Sequence, residues 1–166
     1  MRDAVLEWIE ALPLPDPLIV IVVAMTPIFE LRGAIPVARG LLDMGAVEAY
    51  LWAVLGNSIP VPIILWLFPP FVEWTERRWA WLHRILTRLQ AYSHRKHAAR
   101  VERLRDLALV TFVAIPLPVT GAWSGCLAAV VFAVPKRRAM LLIILGVLIA
   151  GLVVTLFLEA LGLALS

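Results

Sequence analysis

The chain has 166 residues, of which 62% are hydrophobic and 16% are charged, and it carries a formal net charge of +3. A soluble domain of this length cannot bury so large an apolar fraction in its own core. The composition therefore excludes a soluble globular protein, and the long apolar runs predict an all-α integral membrane protein.

Residues 1–13 predict a short helix in the membrane interface. Val5, Trp8, Ile9 and Leu12 recur at helical spacing, whereas the charged residues fall on other faces. A series of prolines then ends this helix.

Residues 17–45 predict a re-entrant helical hairpin, which enters and leaves the membrane on one side. The apolar run that begins at Pro17 has 13 residues before the first charge. This is about 20 Å of helix, and the hydrocarbon layer is about 30 Å thick. The next segment, ELRGAIP at 30–36, is expected to be the unwound tip because it contains Gly33 and Pro36. Two residues of the return arm are spaced for a weak surface pair: Arg39 and Asp43.

Residues 46–70 and 139–162 predict two transmembrane helices. The second is uncharged from 139 to 158, long enough to cross the hydrocarbon layer. The first contains Pro60 and Pro62 near its middle, so we expect it to be broken or kinked.

Residues 71–106 predict a basic amphipathic segment on the membrane surface. Leu82, Ile85 and Leu86 recur at helical spacing among arginines. The loop 73–106 is expected to lie in the cytoplasm, where basic flanks of membrane helices are retained. The three histidines of the chain lie here without the cysteines or carboxylates that would complete a metal site: His83, His94 and His97.

Residues 107–135 predict a second re-entrant hairpin. Its first arm is apolar up to Ile115, and its second arm follows a segment rich in helix breakers. The predicted tip residues are Pro116, Pro118 and Gly121.

The basic residues predict the direction of each element. They concentrate at 77–105 and 136–138. A single crossing by residues 107–134 would place one of these clusters outside, against the usual bias, whereas a hairpin keeps both in the cytoplasm. By the same reasoning the first hairpin opens outward. The chain is therefore predicted to hold two inverted repeats, each a re-entrant hairpin plus a transmembrane helix.

Two short sequence echoes favour the repeat. Ala-Ile-Pro-Val at 34–37 is matched by Ala-Ile-Pro-Leu at 114–117. Val-Leu-Gly at 54–56 is matched by Ile-Leu-Gly at 144–146, in the same order. Paired interrupted segments of this kind are typical of transporters.

Glu30 and Arg32 are the sharpest functional candidates. A charged side chain at the centre of a spanning helix costs about 2.5 to 3.5 kcal/mol on insertion scales, and such groups often mark function. The alternative is a structural pair that locks the tip. Because positions i and i+2 point apart in a regular helix, the two side chains converge only if the tip is unwound.

These two residues have different predicted roles. Arg32 would bind an anionic headgroup through its planar set of donors. Glu30 would couple transport to protons, since a poorly hydrated carboxylate holds a proton more readily. Asn57 and Thr120 would add neutral hydrogen bonds to substrate in the same cavity. An asparagine in a membrane helix also serves as a helix-to-helix contact, and that alternative stays open.

Three segments carry a resemblance to a known family: ELRGAIP at 30–36, GNSIPVP at 56–62 and FVAIPLPVTGAWSG at 112–125. Together they resemble the small multidrug export protein family of prokaryotic membrane proteins, over roughly residues 20–162. That family is distantly similar to the DedA and VTT membrane proteins. The resemblance implies two opposed re-entrant hairpins packed against membrane helices.

DedA-like proteins are associated with translocating lipids, including undecaprenyl phosphate, and with proton-dependent phenotypes that require acidic and arginine residues in the membrane. The resemblance implies these roles for Glu30 and Arg32. The second tip, at 115–123, departs from the pattern because it contains no arginine. Phosphate binding by two arginines is therefore in doubt.

The sequence thus predicts a multi-pass protein of the cell inner (plasma) membrane that transports or flips an amphipathic, anionic, lipid-like substrate such as a polyprenyl phosphate. The first alternative is a small multidrug exporter of hydrophobic compounds, which would depend on Glu30 and tolerate Arg32→Ala. The second is a membrane scaffold that transports nothing. The expected partners are membrane lipids, the substrate, protons and further copies of the chain in a homodimer or higher oligomer.

No enzymatic activity is predicted. Ser124 has no membrane-embedded histidine or lysine as a base, and the sequence lacks an HExxH motif or a paired-aspartate arrangement. No cofactor, metal or nucleic acid is expected.

Overall fold

The structure is a computed structural model that describes residues 14–67, 99–116 and 120–165. These residues contain helices and no strand, which confirms the all-helical class. The six helices are α1 (Asp16–Met25), α2 (Glu30–Gly40), α3 (Ala46–Ser58), α4 (Ala99–Ala114), α5 (Ala122–Val131) and α6 (Lys136–Leu165). The interfacial helix predicted for 1–13, residues 71–98 of the basic segment and the tip residue Pro118 lie outside the described residues.

Within the described residues, two helices are long and apolar enough to cross a membrane. Helix α3 continues after a one-residue interruption at Ile59, and the whole helix Ala46–Leu67 has 22 residues. The other is Lys136–Gly162, with 27 residues. Only 33% of the most apolar window of each is buried inside the protein, whereas a core helix of a soluble protein is mostly buried. These helices and the composition together indicate a membrane protein.

The chain forms two compact units, Met1–Ser58 with Ile149–Ser166 and Ile59–Leu148. In the first unit, α1 packs against both α2 and α3, and α2 packs against α3. In the second unit, α4 packs against α5. Each unit thus contains one pair of helices that follow each other in the chain, with 10 and 11 residues in the first unit and 16 and 10 in the second.

The turn of the first helix pair lies earlier than predicted. Helix α1 ends at Met25 and α2 begins at Glu30, so Gly33 and Pro36 lie inside α2 instead of forming an unwound tip. Helix α2 continues through Pro36 because one face of the helix packs against α1 and α3. The fully or almost fully buried side chains of this face are Leu31, Ala34, Ile35 and Ala38.

Arg39 also pairs differently from the prediction. Its guanidinium Nη2 lies 2.6 Å from Glu159 Oε1, and its Nη1 donates a hydrogen bond of 2.6 Å to the carbonyl oxygen of Met44. Asp43 lies beyond the end of α2 and has a φ of 53°, so it is not one helical turn from Arg39 as the i,i+4 prediction requires.

Close helix contacts depend on two glycines. A Cβ added to Gly56 would lie 2.6 Å from the carbonyl oxygen of Ile21 in α1. A Cβ added to Gly146 would lie 2.6 Å from Val113 Cβ in α4. A glycine therefore allows α3 to approach α1 in the first unit, and another glycine allows α6 to approach α4 in the second unit.

Gly56→Ala and Gly146→Ala are each expected to lower the free energy of unfolding by about 1 to 3 kcal/mol, because the added methyl group forces packed helices apart. Gly40→Ala is the matched control, since a Cβ there meets nothing within 4 Å. Thermal unfolding of the purified variants in detergent measures the difference. An equal loss of stability in all three variants would contradict the close helix contacts.

Candidate functional site

A tight turn at 26–29 positions the candidate site. Pro27 holds the preceding Thr26 in extended backbone with ψ of 143°, which ends α1. The Thr26 hydroxyl donates to the Val23 carbonyl at 2.7 Å and accepts the Phe29 N–H at 3.3 Å. One side chain therefore stabilises both sides of the turn. This threonine lies within the apolar run predicted for the first arm of the hairpin, although a Thr-Pro pair is a signal for a turn.

Glu30 follows this turn as the first residue of α2. Its φ of 48° lies in the left-handed region, which costs about 1 to 3 kcal/mol for a residue other than glycine and concentrates at functional sites. The residue is also buried, with 6% of its surface exposed. Backbone strain and a buried carboxylate thus coincide at one position.

Arg32 and Glu30 form an ion pair. Arg32 Nη2 lies 3.6 Å from Glu30 Oε2, and the two side chains are 18% and 8% exposed. Residues two apart on a regular helix point in different directions, so the left-handed backbone of Glu30 accounts for the contact. Gly33 does not unwind the segment. Instead, a Cβ on Gly33 would lie 2.8 Å from Phe29 Cβ, so the glycine makes room for the turn.

Asn57 is buried on α3 in the same unit. It is 1% exposed, and neither its side-chain oxygen nor its side-chain nitrogen has a hydrogen-bond partner. A buried polar group in this state is rare in native proteins and calls for an explanation, such as an exchangeable ligand or water. Of the predicted substrate ligands, Asn57 is the one with unused hydrogen-bonding capacity in both side-chain atoms.

Thr120 lies in the other unit, two residues before α5. Its hydroxyl donates a 2.5 Å hydrogen bond to the carbonyl oxygen of Ile115, next to the end of α4. Pro116 follows Ile115, and Gly121 immediately precedes α5 with a φ of 151°, which favours glycine. The hydroxyl of Thr120 therefore has a structural role.

A cluster of charged side chains that was not predicted from the sequence joins α4 to the start of α6. Arg138 pairs with Asp106 and lies 3.5 Å from Glu102 Oε2. Arg105 donates to the carbonyl oxygen of Phe132 at 3.3 Å. The i,i+4 spacing of the two acidic residues on one face of α4 is the signal that could have revealed the cluster. Within residues 14–67, 99–116 and 120–165, no group of three or more metal-binding side chains occurs.

Comparison with known families decides the assignment. A family model described as "Putative small multi-drug export protein" matches residues 30–153. The match includes 124 of the 166 residues. The chain belongs to this family. No curated protein and no solved structure matches the chain.

The small multidrug export family match confirms the resemblance inferred from the motifs. It begins at Glu30 and contains every residue predicted to contact substrate: Arg32, Asn57 and Thr120. Helix α1 and the last residues of α6 lie outside it.

Asn57→Leu is expected to raise the melting temperature of this small multidrug export family member. Leucine has a similar size, and neither amide atom has a protein hydrogen-bond partner, so the replacement removes a desolvation cost of about 1 to 3 kcal/mol. Thermal unfolding in detergent measures the change. A lower melting temperature would show that the Asn57 amide contributes hydrogen bonds to the stability of the folded protein.

Proposed function

We propose that the protein is a proton-coupled secondary transporter that exports small amphipathic compounds through a site at Glu30 and Arg32. The observation that carries the proposal is a buried ion pair whose carboxylate lies on a strained residue, directly after the turn that follows the short apolar helix α1. Membership in the small multidrug export family supports this class of substrate.

The ion pair provides a route to proton coupling. While Glu30 is ionised, its carboxylate holds the guanidinium of Arg32. Protonation removes the negative charge and releases the guanidinium. A cationic amphiphile competes with protons for the same carboxylate, so its binding displaces a proton. This competition is what proton-driven export requires.

Asn57 supplies the neutral part of the site. Helix α3, on which it lies, packs against the helix that contains Glu30 and Arg32. Because both side-chain atoms of Asn57 are buried without a partner, they gain hydrogen bonds when a polar substrate group or water enters. Asn57 therefore contributes binding free energy without a change in charge.

We place both helix pairs as re-entrant hairpins in the cell inner membrane. Helices α1 and α2 have 10 and 11 residues, about 15 Å each, which is half the thickness of the hydrocarbon layer. Such a hairpin enters and leaves on one side. The basic residues around 77–105 and 136–138 favour a cytoplasmic position for the loop and for the open end of the second hairpin.

Corresponding burial in the two halves supports the repeat. The five buried positions of α2 recur 91 residues later, at the start of α5 and within it. The first six buried positions of the long helix that starts at Ala46 recur 90 residues later in α6. Gly56 and Gly146 correspond in this register, as the Val-Leu-Gly echo predicted. The Ala-Ile-Pro echo does not correspond, because 34–37 lies within α2 whereas 114–117 begins at the last residue of α4.

This register makes the proposed site asymmetric. Glu30 corresponds to Gly121, and both have positive φ values, of 48° and 151°. Arg32 corresponds to Trp123. One half therefore has a carboxylate and a guanidinium where the other half has glycine and tryptophan, so each chain has one charged coupling site.

A second candidate is movement of an anionic amphiphile such as a polyprenyl phosphate. It is favoured by the greater exposure of Arg32, whose side chain is 18% exposed against 8% for Glu30. In this case protonation of Glu30 frees the guanidinium for a phosphate, so substrate binding takes up a proton. The two candidates predict proton movements of opposite sign.

Transport in liposomes tests the two candidates. Ethidium serves as the cationic probe and a fluorescent polyprenyl phosphate as the anionic probe, each under an imposed pH gradient. Glu30→Gln is expected to reduce proton-driven ethidium transport about tenfold or more, because an amide cannot exchange a proton. Arg32→Ala is expected to retain ethidium transport, whereas phosphate transport would depend on Arg32.

Glu48→Gln and Arg103→Ala are the matched controls, since both residues are exposed. Ethidium transport that survives Glu30→Gln with its full pH dependence would exclude Glu30 as the coupling residue. No movement of either probe above empty liposomes by folded protein would overturn transport in favour of a membrane scaffold.

A further inference from the structure

The second half of α6 presents a polar face within the first unit. Gly151, Thr155 and Glu159 are four residues apart, so they lie one turn apart on the same face. A Cβ added to Gly151 would lie 2.9 Å from Tyr50 Cε2 in α3. Two turns further along, Glu159 Oε1 lies 2.6 Å from Arg39 Nη2 in α2. This face of α6 therefore contacts both α3 and α2.

Thr155 lies between these two contacts. Its hydroxyl oxygen is buried and has no hydrogen-bond partner. Asn57 lies two turns along α3 from Tyr50, and both of its amide atoms are buried without a partner. The two helices that meet at Gly151 thus each contain a buried polar group with unused hydrogen-bonding capacity.

The outer end of this row of polar groups lies at the surface of the unit. The side chains of Arg39 and Glu159 are 34% and 41% exposed. Asn57, in contrast, is 1% exposed. The polar groups therefore extend from the surface of the unit into its core. Buried polar groups of this kind are commonly satisfied by water.

We propose that Thr155, Tyr50 and Asn57 line a hydrated path that carries protons between the Arg39–Glu159 pair and Glu30. This inference rests on the proposed function, because it identifies how protons reach the coupling carboxylate. In each step a water oxygen accepts a proton from one neighbour and donates another proton to the next. Only O–H bonds form and break, and the sum is the transfer of one proton between solvent and the Glu30 carboxylate.

Among the described residues, the charged and titratable side chains of the first unit lie on four helices and in one turn. Arg32 is the ion-pair partner of Glu30. The Arg39–Glu159 pair is neutral as a whole and lies at the exposed end. The others are Asp16 on α1, the exposed Asp43 after α2, and Tyr50 and the exposed Glu48 on α3.

Thr155→Val tests the path, because valine has the shape of threonine without the hydroxyl. Two reactions are measured in the same liposomes: net ethidium transport driven by a pH gradient, and exchange of labelled for unlabelled ethidium without a gradient. Net transport is expected to fall about tenfold. Exchange is expected to stay unchanged. A transporter loaded with ethidium can return across the membrane without transferring a proton to or from solvent, so exchange does not use the path.

Thr155→Ser restores the hydroxyl and is expected to restore net transport. Thr111→Val makes the same change at an exposed position of α4 and is the matched control. Net transport by Thr155→Val at the wild-type rate would overturn the path and leave the proposed function intact. A wild-type protein with neither net transport nor exchange would overturn the proposed function and this inference with it.

Discussion

Burial of the Glu30 carboxylate at the start of α2, directly after the apolar helix α1, is the constraint on which the rest of the site depends. An isolated charge in such a place costs several kcal/mol, so it requires a partner. The chain supplies Arg32 two residues later, where a regular helix would direct it elsewhere. The left-handed backbone of Glu30 brings the two side chains together. The strained backbone of Glu30 is therefore what allows Arg32 to compensate the buried charge.

The surrounding helices hold this strained residue in place. The Thr26 hydroxyl bonds to both sides of the turn, and the helix that follows is buried along one face. Gly56 allows α3 to approach the backbone of α1, which places Asn57 in the core of the same unit. Short helices, a close helix contact and a buried amide together surround the ion pair with apolar groups. In these surroundings a single proton changes the charge balance substantially.

Part of this arrangement could be predicted because it depends on local sequence. Long apolar runs predicted both candidate spans, and charges within an apolar region identified Glu30 and Arg32. The position of the turn was wrong because Pro27 and Pro36 give similar local signals, and only the packed face of α2 distinguishes them. The Arg39–Glu159 pair joins residues 120 apart in sequence. No pattern in the sequence indicates such a contact, or that the amide of Asn57 has no partner.

The proposed transport depends on the exchange of a proton at Glu30 when substrate binds. To measure it, ethidium is added to the purified protein in weakly buffered detergent solution, at a pH at which Glu30 is protonated, and the pH is followed with a sensitive dye. We expect proton release by the wild-type protein and none by Glu30→Gln. Equal release by both proteins would contradict this role of Glu30, because the exchanged proton would then belong to another group.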